Sequence, residues 1–581
     1  MTVVPTGTAP APIESRVTVI TPAAQNPPPS FIELKSGKFL LFYCPGSSHT
    51  STDGFLAMKT AANEAAVLAE NFSAQTIIEA FEPGLRYYSA AYASQVEEGP
   101  ESGRVYIIYG SGRDIPGRTS NEWQTWVRYT DNPDDDVITW SERVEIPNLF
   151  DGGYGIDANI KGQAANHAMI EKPGTNGQEW VVALLGFDST EKYEYSKLIA
   201  TTTTPMGTWS VRSVIQPGGG PSATYSPSEP VANIIYLANG TAKLAVGVDL
   251  WPTQVYFKTS SDWGVTWDQG SGVGTTIATN AIAPPAFVQC PDLSIIAMYR
   301  NLADSEHMWM ARSTDFGATW PQKWLFDSGG RMRYGNMQVL QSLHVGVCYG
   351  METPDFPSAQ GGIYFNSLSV TPPTGGSAPS ITGSALAAGP NFSASLVEGG
   401  MPTLHRVEYG ATSGYGSVTD WRAVPPRPAL PWFISQALPA GSPLHARLVA
   451  KNLVGSTNGA DAVLAGLTLT PATETDAAQP LTYGLRISGL TLDPDAFWHQ
   501  SGTALTVHAA AGRRREVTGI VTSSTGGPCS FSGPDAADFE VSLNGTDWAS
   551  SVTVPAGDTP IWLSAEPSAT GAISAELGVP A

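Results

Sequence analysis

One phrase constrains this chain more than any other. S-x-D-x-G-x-T-W is written as SSDWGVTW at residues 260–267 and again as STDFGATW at residues 313–320, a spacing of 53. Recurrence at five fixed positions marks a supersecondary unit copied along the chain, and such a unit buries its apolar faces against its neighbours. Apolar runs precede each copy: EPVANIIYLANGTAKLAVGV and VYFKTS before the first, AFVQCPDLSIIAMYR and HMWMARS before the second. Both read as strand, turn, strand, strand, with the phrase itself as the turn into a fourth strand.

Weaker copies stand upstream, where SGRVYIIYG leads to TWVRYTDNPDDDVITW and EWVVALLGF leads to SKLIATTTTPMGTW. With SFIELKSGKFLLFY in front and YGNMQVLQSLHVGVCYG behind, there are six units of roughly 40–60 residues, the repeat size of a propeller blade. The turns end at Trp140, Trp209, Trp267 and Trp320, which are 69, 58 and 53 residues apart. The last unit has three visible strands, while RVTVI (residues 16–20) has no partner of its own. It is expected to supply the missing outer strand and close the ring, removing the free edges of a linear stack. Composition agrees: 60 Gly, 46 Pro and only 14% charged residues suit short strands and tight turns, and helical periodicity is confined to residues 63–70.

The repeated phrase resembles the Asp-box of the sialidase (neuraminidase) superfamily, and the blade phrases resemble that family from about residue 25 to residue 370. The work of such a turn is structural, for Ser260, Asp262, Gly264, Thr266 and Trp267 as for Ser313, Asp315, Gly317, Thr319 and Trp320. The Asp and Ser/Thr side chains bond turn backbone, Gly takes a positive φ, and Trp wedges between blades. The resemblance implies a separate catalytic set. Asp53 falls at the family's acid/base, Glu229 at the glutamate that activates the nucleophile, and Tyr334 at the nucleophilic tyrosine. A neutral nucleophile suits a sugar whose anomeric carbon carries a carboxylate.

The chain departs from the family at the arginines. Three should clamp the substrate carboxylate, whose two oxygens match a guanidinium fork. QNPPPSFIEL, AVGVD and ADSEHMWM place none at the expected positions. Arg86, Arg300, Arg331 and Arg333 are the other guanidinium groups that could reach a central mouth. Trp123 and Trp251, with Trp126, Tyr87, Tyr88 and Tyr154, could stack on a pyranose face, the alternative for each being blade packing.

The expected fold is all-β: a six-bladed β-propeller followed by two β-sandwich domains. Residues 1–15 read as an extended N-terminal arm, 16–372 as the ring and 373–380 as a linker. Residues 381–466 resemble a fibronectin type III domain, on HRVEYGATSGYGSVT and AKNLVGST, and 467–581 read as an Ig-like sandwich. A net charge of −21 disfavours nucleic-acid and anionic-membrane partners, and no apolar run spans a bilayer. Cys44, Cys290, Cys348 and Cys529 lack metal-ligand spacing and read as isolated buried thiols. DNPDDD (residues 131–136) reads as a solvated hairpin tip, not a calcium loop, and His167 as a satisfied buried histidine. No metal and no cofactor are expected.

The opening MTVVPTGTAPAPIESRVTVITP has no Sec signal, although the modules are of an extracellular kind. A bacteriophage tail fibre, spike or decoration protein, made in the host cytoplasm and built into the virion, resembles this chain in style; an extracellular or cell-surface protein is the alternative. Expected partners are a glycan or cell-surface receptor at the ring and other virion proteins at the N-terminal arm. A fibre would be a homo-oligomer, though no coiled-coil heptads mark one. Two functions stay open: a ring that binds host-surface glycan or a partner protein without the usual sialidase activity, and a sialidase-related glycoside hydrolase using Asp53, Glu229 and Tyr334.

Overall fold

The computed structural model describes the chain apart from residues 1–4, 6–7, 14–15, 21–28, 46–53, 83–84, 88–90, 98, 114–121, 151–159, 166, 189–196, 217–225, 252, 271–273, 283–285, 353–360, 388–390, 427–430, 440–443, 465–466, 470–472, 477–478, 483–497, 502–503, 510–514, 524–526, 534, 545, 556, 566–570 and 579–581. Six antiparallel sheets of four or five strands are built from residues 11–369. In blade 4 the chain steps outward from Ser226–Tyr236 through Ala242–Trp251 and Gln254–Ser260 to Thr275–Thr279. The other innermost strands are Ser30–Glu33 in blade 1, Leu85–Tyr87 with Tyr92–Gln95 in blade 2, and Ile160–Ala165 with Ile170–Glu171 in blade 3. Blade 5 begins with Ala281–Ile282 and Phe287–Gln289, and blade 6 with Arg331–Val339. The end of the ring at which these strands start is its upper end; the end at which they finish is its lower end.

Middle strands are apolar on both faces because each blade is covered on both sides. Gln254–Ser260 is buried after its first residue, and Ile295–Asn301 up to its last. The outermost strand Gln322–Asp327 instead alternates half-buried and exposed over its first four residues. Among the described residues the ring's core is accordingly divided into six clusters, each shared by two successive blades. Leu40 and Tyr109 stand between blades 1 and 2, Tyr106 and Trp180 between 2 and 3, Val181 and Tyr256 between 3 and 4. Phe257 and Phe287 stand between 4 and 5, Met298 and Tyr349 between 5 and 6, and Phe39 and Phe365 between 6 and 1. The last cluster closes the ring. Trp140, Trp209, Trp267 and Trp320 pack at the first four of these interfaces, the wedge position expected of them.

Amide side chains carry the hydrogen bonding across the seams. Gln289 of blade 5 accepts from the Tyr236 N–H (2.7 Å) and donates to the Tyr236 carbonyl (2.9 Å) of blade 4. Gln338 of blade 6 does the same to Glu33 of blade 1, at 2.8 and 3.4 Å. A side chain with one acceptor and one donor thus mimics a backbone unit where no strand can pair.

The N-terminal segment supplies the outer strand of blade 6, as expected. Val17 and Thr18 pair with Phe365 and Tyr364, and Arg16 bonds Asp327 at 3.0 Å with its guanidinium 4.4 Å from the Tyr364 ring centre. Part of the expected arm is also annexed: Ala11 and Pro12 pair with Ser369 and Leu368, and the Thr8 carbonyl accepts from Arg312. Arg312 and Asp292 form an ion pair at 2.5 Å whose side chains are both fully buried. Asp292 also accepts from the Ser294 N–H (3.0 Å) and hydroxyl (2.6 Å). The short helix Glu64–Leu68 is capped by Asn63, whose Oδ1 accepts from the Ala66 N–H at 2.9 Å.

The first sandwich opens with Ser380–Ala387, one residue before the expected boundary, which pairs with Asn391–Val397 and through it with Trp432–Ala437. The facing sheet is centred on Thr403–Gly410 and Leu444–Asn452, and Phe392, Leu396, Val407 and Leu448 fill the space between. This sandwich sits against the lower end of the ring, where Met401 and Leu453 pack on Leu293 and Phe316 of blade 5. The second sandwich joins a sheet carrying Arg515–Ser523 and Gly557–Ala565 to one carrying Ala504–Ala509 and Gly571–Gly578. All four cysteines are buried and none is in a disulfide bond.

His167 corrects the sequence reading. It is buried and stacks on Tyr92 at 5.9 Å, but neither ring nitrogen has a hydrogen-bond partner among the described residues. Its ring borders a central cavity.

Candidate functional site

The two repeated turns lie at the lower end and are copies down to single atoms. Asp262 accepts from the Ser260 hydroxyl (2.8 Å), the Thr266 N–H (2.8 Å) and the Thr266 hydroxyl (2.7 Å). Asp315 accepts from Ser313 at 2.7 Å and from Thr319 at 2.8 and 2.6 Å. Burial raises the Asp262 carboxyl, but the Thr266 and Ser260 bonds outweigh it and hold the group at about 2. Gly264 and Gly317 adopt φ of +87° and +88°, and Trp320 packs edge-on against Phe257 of the preceding blade at 5.5 Å. Every functional group of these carboxylates is spent on its own turn.

The candidate catalytic and binding positions lie at the opposite, upper end. Asp53 lies outside the described residues, just ahead of the third strand of blade 1, Leu56–Ala61. Arg86, Glu229, Arg333 and Tyr334 fall on the upper parts of innermost strands. Trp251 ends the second strand of blade 4, opposite Ser226; Arg300 lies near the end of the second strand of blade 5, opposite Ile282; and Trp123 starts the third strand of blade 2, opposite Gly112. Trp123 is therefore two strands out from the innermost strand of its blade, about 10 Å by strand spacing. Trp126 is a packing residue: its Nε1 donates to Ser111 at 2.8 Å and Arg143 lies over its ring at 4.6 Å. Tyr88 and Tyr154 lie outside the described residues.

Glu229 and Tyr334 share a feature that spacing cannot reveal. In blade 4 the register steps from Ser228↔Asp249 to Val231↔Gly247, so Glu229 and Pro230 oppose a single residue. In blade 6 it steps from Met332↔Met351 to Gly335↔Tyr349, so Arg333 and Tyr334 do likewise. Blade 3 gains one residue in the same region, between Ile160 and Gly162. A bulge redirects side chains that a regular strand would send alternately to its two faces.

The described arginines near this mouth are already engaged. Glu306, on the turn between the second and third strands of blade 5, takes Arg300 Nη1 at 3.0 Å and Arg331 Nε on the same carboxylate oxygen. Its carbonyl accepts from the Met332 N–H at 3.0 Å, which ties this turn to the strand bearing Tyr334. Asp304 on the same turn accepts from Trp309 Nε1 at 2.7 Å. A carboxylate stands where the family resemblance called for an arginine, a departure visible in the sequence as Glu306, although its capture of two arginines was not.

The acidic tip over residues 131–136 is tied down locally. Asp131 bonds Arg104 at 2.6 Å and Asp134 accepts from the Ser36 hydroxyl.

No family model and no curated protein matches the chain. Among solved structures, a protein of unknown function from Dyadobacter fermentans is similar at 14% identity and a TM-score of 0.47, over 62% of this chain and 99% of that one. The intramolecular trans-sialidase of Ruminococcus gnavus is similar at 10% identity and 0.43, over 60% and 95%. Trypanosoma rangeli sialidase is similar at 11% identity and 0.43, over 97% and 96%. Likenesses of this size carry no chemistry from those proteins to this one.

Proposed function

We infer that the ring is a glycan-binding module whose mouth lies at its upper end, and that it does not hydrolyse sialosides by a three-arginine route. The observation that carries this reading is the Glu306 carboxylate, which holds both Arg300 and Arg331. Freeing either guanidinium for a substrate carboxylate would strip a charge-assisted bond from Glu306, so a charged sugar gains little net attraction. A neutral glycan needs no such exchange. The chain as a whole fits a virion component of tail-fibre, spike or decoration type. Docking to other virion proteins then falls to residues preceding Thr8, since the segment from Thr8 to Ile13 is bonded to the ring.

The paired bulges favour a second reading, a glycoside hydrolase acting on a neutral sugar. In it Tyr334 attacks the anomeric carbon, Glu229 accepts its proton, and Asp53 protonates the leaving oxygen.

A panel of chromogenic glycosides, sialosides included, separates the two when run beside a glycan array with the same protein. Binding without turnover is the expected result. Turnover abolished in both Tyr334→Phe and Asp53→Ala would replace the binding reading by the hydrolase reading. Turnover of sialosides at the rate of neutral glycosides would overturn the inference drawn from Glu306.

A further inference from the structure

Below the upper mouth the innermost strands enclose a second space. Asn336 lies two residues beyond Tyr334, about 7 Å further along its strand. From that level down, all six blades border a cavity of about 460 Å³, and the first sandwich completes it with Pro402, Thr403, Leu404, Trp421 and Ala423. Its volume lies within the range of small-molecule sites, which form preferentially between domains.

The geometry points to this cavity as a binding site for a small, neutral, hydroxyl-bearing ligand, a single pyranose or a cyclic polyol. Three features of the wall carry the assignment. The first is His167, 7% exposed, whose ring borders the space and whose two nitrogens, covered by the wall, have no partner among the described residues. A neutral imidazole carries one donor and one acceptor, the pair a ligand hydroxyl both offers and requires, and a turn of the ring would bring either to the cavity face. Burial pushes His167 down to about 4, which keeps it in that neutral form at ordinary pH. The second is Asn336, whose Oδ1 makes only a long 3.5 Å contact to the Phe31 N–H. Its amide nitrogen has no partner among the described residues, leaving two donors for a ligand.

The third is an apolar platform. Trp421 borders the cavity and packs with Arg406 and Lys451, whose cationic groups lie 4.6 and 4.2 Å from its ring centre. An aromatic face that borders a cavity suits the C–H face of a sugar ring.

Charge selection follows from what the ionic groups of the wall already do. Lys35 is bonded to Glu97 at 3.2 Å and to the Val96 carbonyl at 2.8 Å. Glu33 accepts from the Gln341 N–H at 2.6 Å, and Glu171 from the Glu97 N–H at 2.6 Å. An acidic ligand meets the Glu97 and Glu171 carboxylates, a Glu33 that burial keeps mostly in its neutral form, and one cation that is already paired, so a neutral ligand is favoured. The walls come from two separately folded units, so the cavity can open by parting the sandwich from the ring without unfolding either.

The test is saturation-transfer NMR and calorimetric titration of the full chain with glucose, galactose, mannose and N-acetylglucosamine, with glucuronate as the charged comparator. The expected result is saturable binding of at least one neutral sugar and none of glucuronate. Affinity should fall at least tenfold in His167→Phe and in Trp421→Ala, and stay within twofold in Tyr334→Phe. Trp421 belongs to the sandwich alone, so its variant still decides the matter if His167→Phe fails to fold. Absence of saturable binding, or binding indifferent to both cavity variants, would mean that the cavity holds solvent only and overturns the assignment. Binding abolished by Tyr334→Phe would move the sugar to the upper mouth and overturn it equally.

Discussion

Asp292→Ala is the sharpest test of how the lower end of blade 5 is held. The substitution leaves the Arg312 guanidinium fully buried, with the Thr8 carbonyl and a 3.5 Å contact to Gln322 as its remaining acceptors. Removing one member of a buried ion pair costs about 3–5 kcal/mol, because the survivor is an uncompensated charge. The two Ser294 bonds to Asp292 are lost as well, worth about 1 kcal/mol each. A domain as large as the ring moves by about 1.3–2 °C per kcal/mol, so a loss of about 5–7 kcal/mol should lower its melting transition by roughly 6–14 °C.

Arg312→Met is gentler, since Asp292 keeps its Ser294 donors and an apolar chain fills the space; about 1–3 kcal/mol is expected. The double variant carries no orphan charge and should be more stable than Asp292→Ala alone. Scanning calorimetry of the full chain, with tryptophan fluorescence identifying the ring transition, measures all three. A fall of less than about 2 °C in Asp292→Ala, or a double variant at the sum of the singles, would refute the reasoning.

Three further outcomes are expected. Gly317→Ala should cost about 3–5 kcal/mol and Gly264→Ala about 1–2, because a Cβ at Gly317 overlaps the Phe257 ring while one at Gly264 meets Leu244 and Ile199 side chains at 3.1 and 3.3 Å; equal losses in thermal melts would count against the turn geometry. His167 is held at about 4 by burial against about 6.5 in the unfolded chain, so the stability it contributes is complete above pH 6.5 and lost as pH falls toward 4; the excess of wild type over His167→Gln should shrink over that window in melts at stepped pH. Burial pushes Glu33 up to about 8, with the Gln341 N–H and Lys451 acting against it, so its contribution is complete below about 4.5 and lost as pH rises through 8; Glu33→Gln should gain on wild type in melts between pH 5 and 9, and a gain in the opposite direction would reverse the assignment.

The parts of the fold that depend on local chemistry were legible in the sequence. Ser260, Asp262, Gly264 and Thr266 bond one another within seven residues, so the phrase itself specifies the turn. Middle strands buried on both faces leave continuous apolar runs such as IIAMYR, which can be counted into blades. The one-strand deficit of the last unit and the orphan RVTVI completed each other. What stayed hidden depends on residues distant in sequence. The bulges at Glu229 and Tyr334 exist only relative to partner strands, and a register step leaves no mark on its own strand. Glu306 reaches Arg300 and Arg331 because Ser305 and Glu306 both adopt positive φ, of 52° and 61°, in a turn whose composition does not demand it. His167 lacks a partner for a reason no neighbouring residue encodes, the shape of the space between six blades and a sandwich.

The clasp between the first and last strands of the ring sets an order on biosynthesis. Val17 and Thr18 find Phe365 and Tyr364 only after some 350 further residues have left the ribosome. Until then the leading edge of the nascent polypeptide and five newly made blades wait with apolar flanks uncovered, so vectorial synthesis alone cannot finish the wheel. Completion is a single late event in which both ends of the circle arrive together, and a ribosome stalled before residue 369 leaves an arc that invites pairing with a stranger.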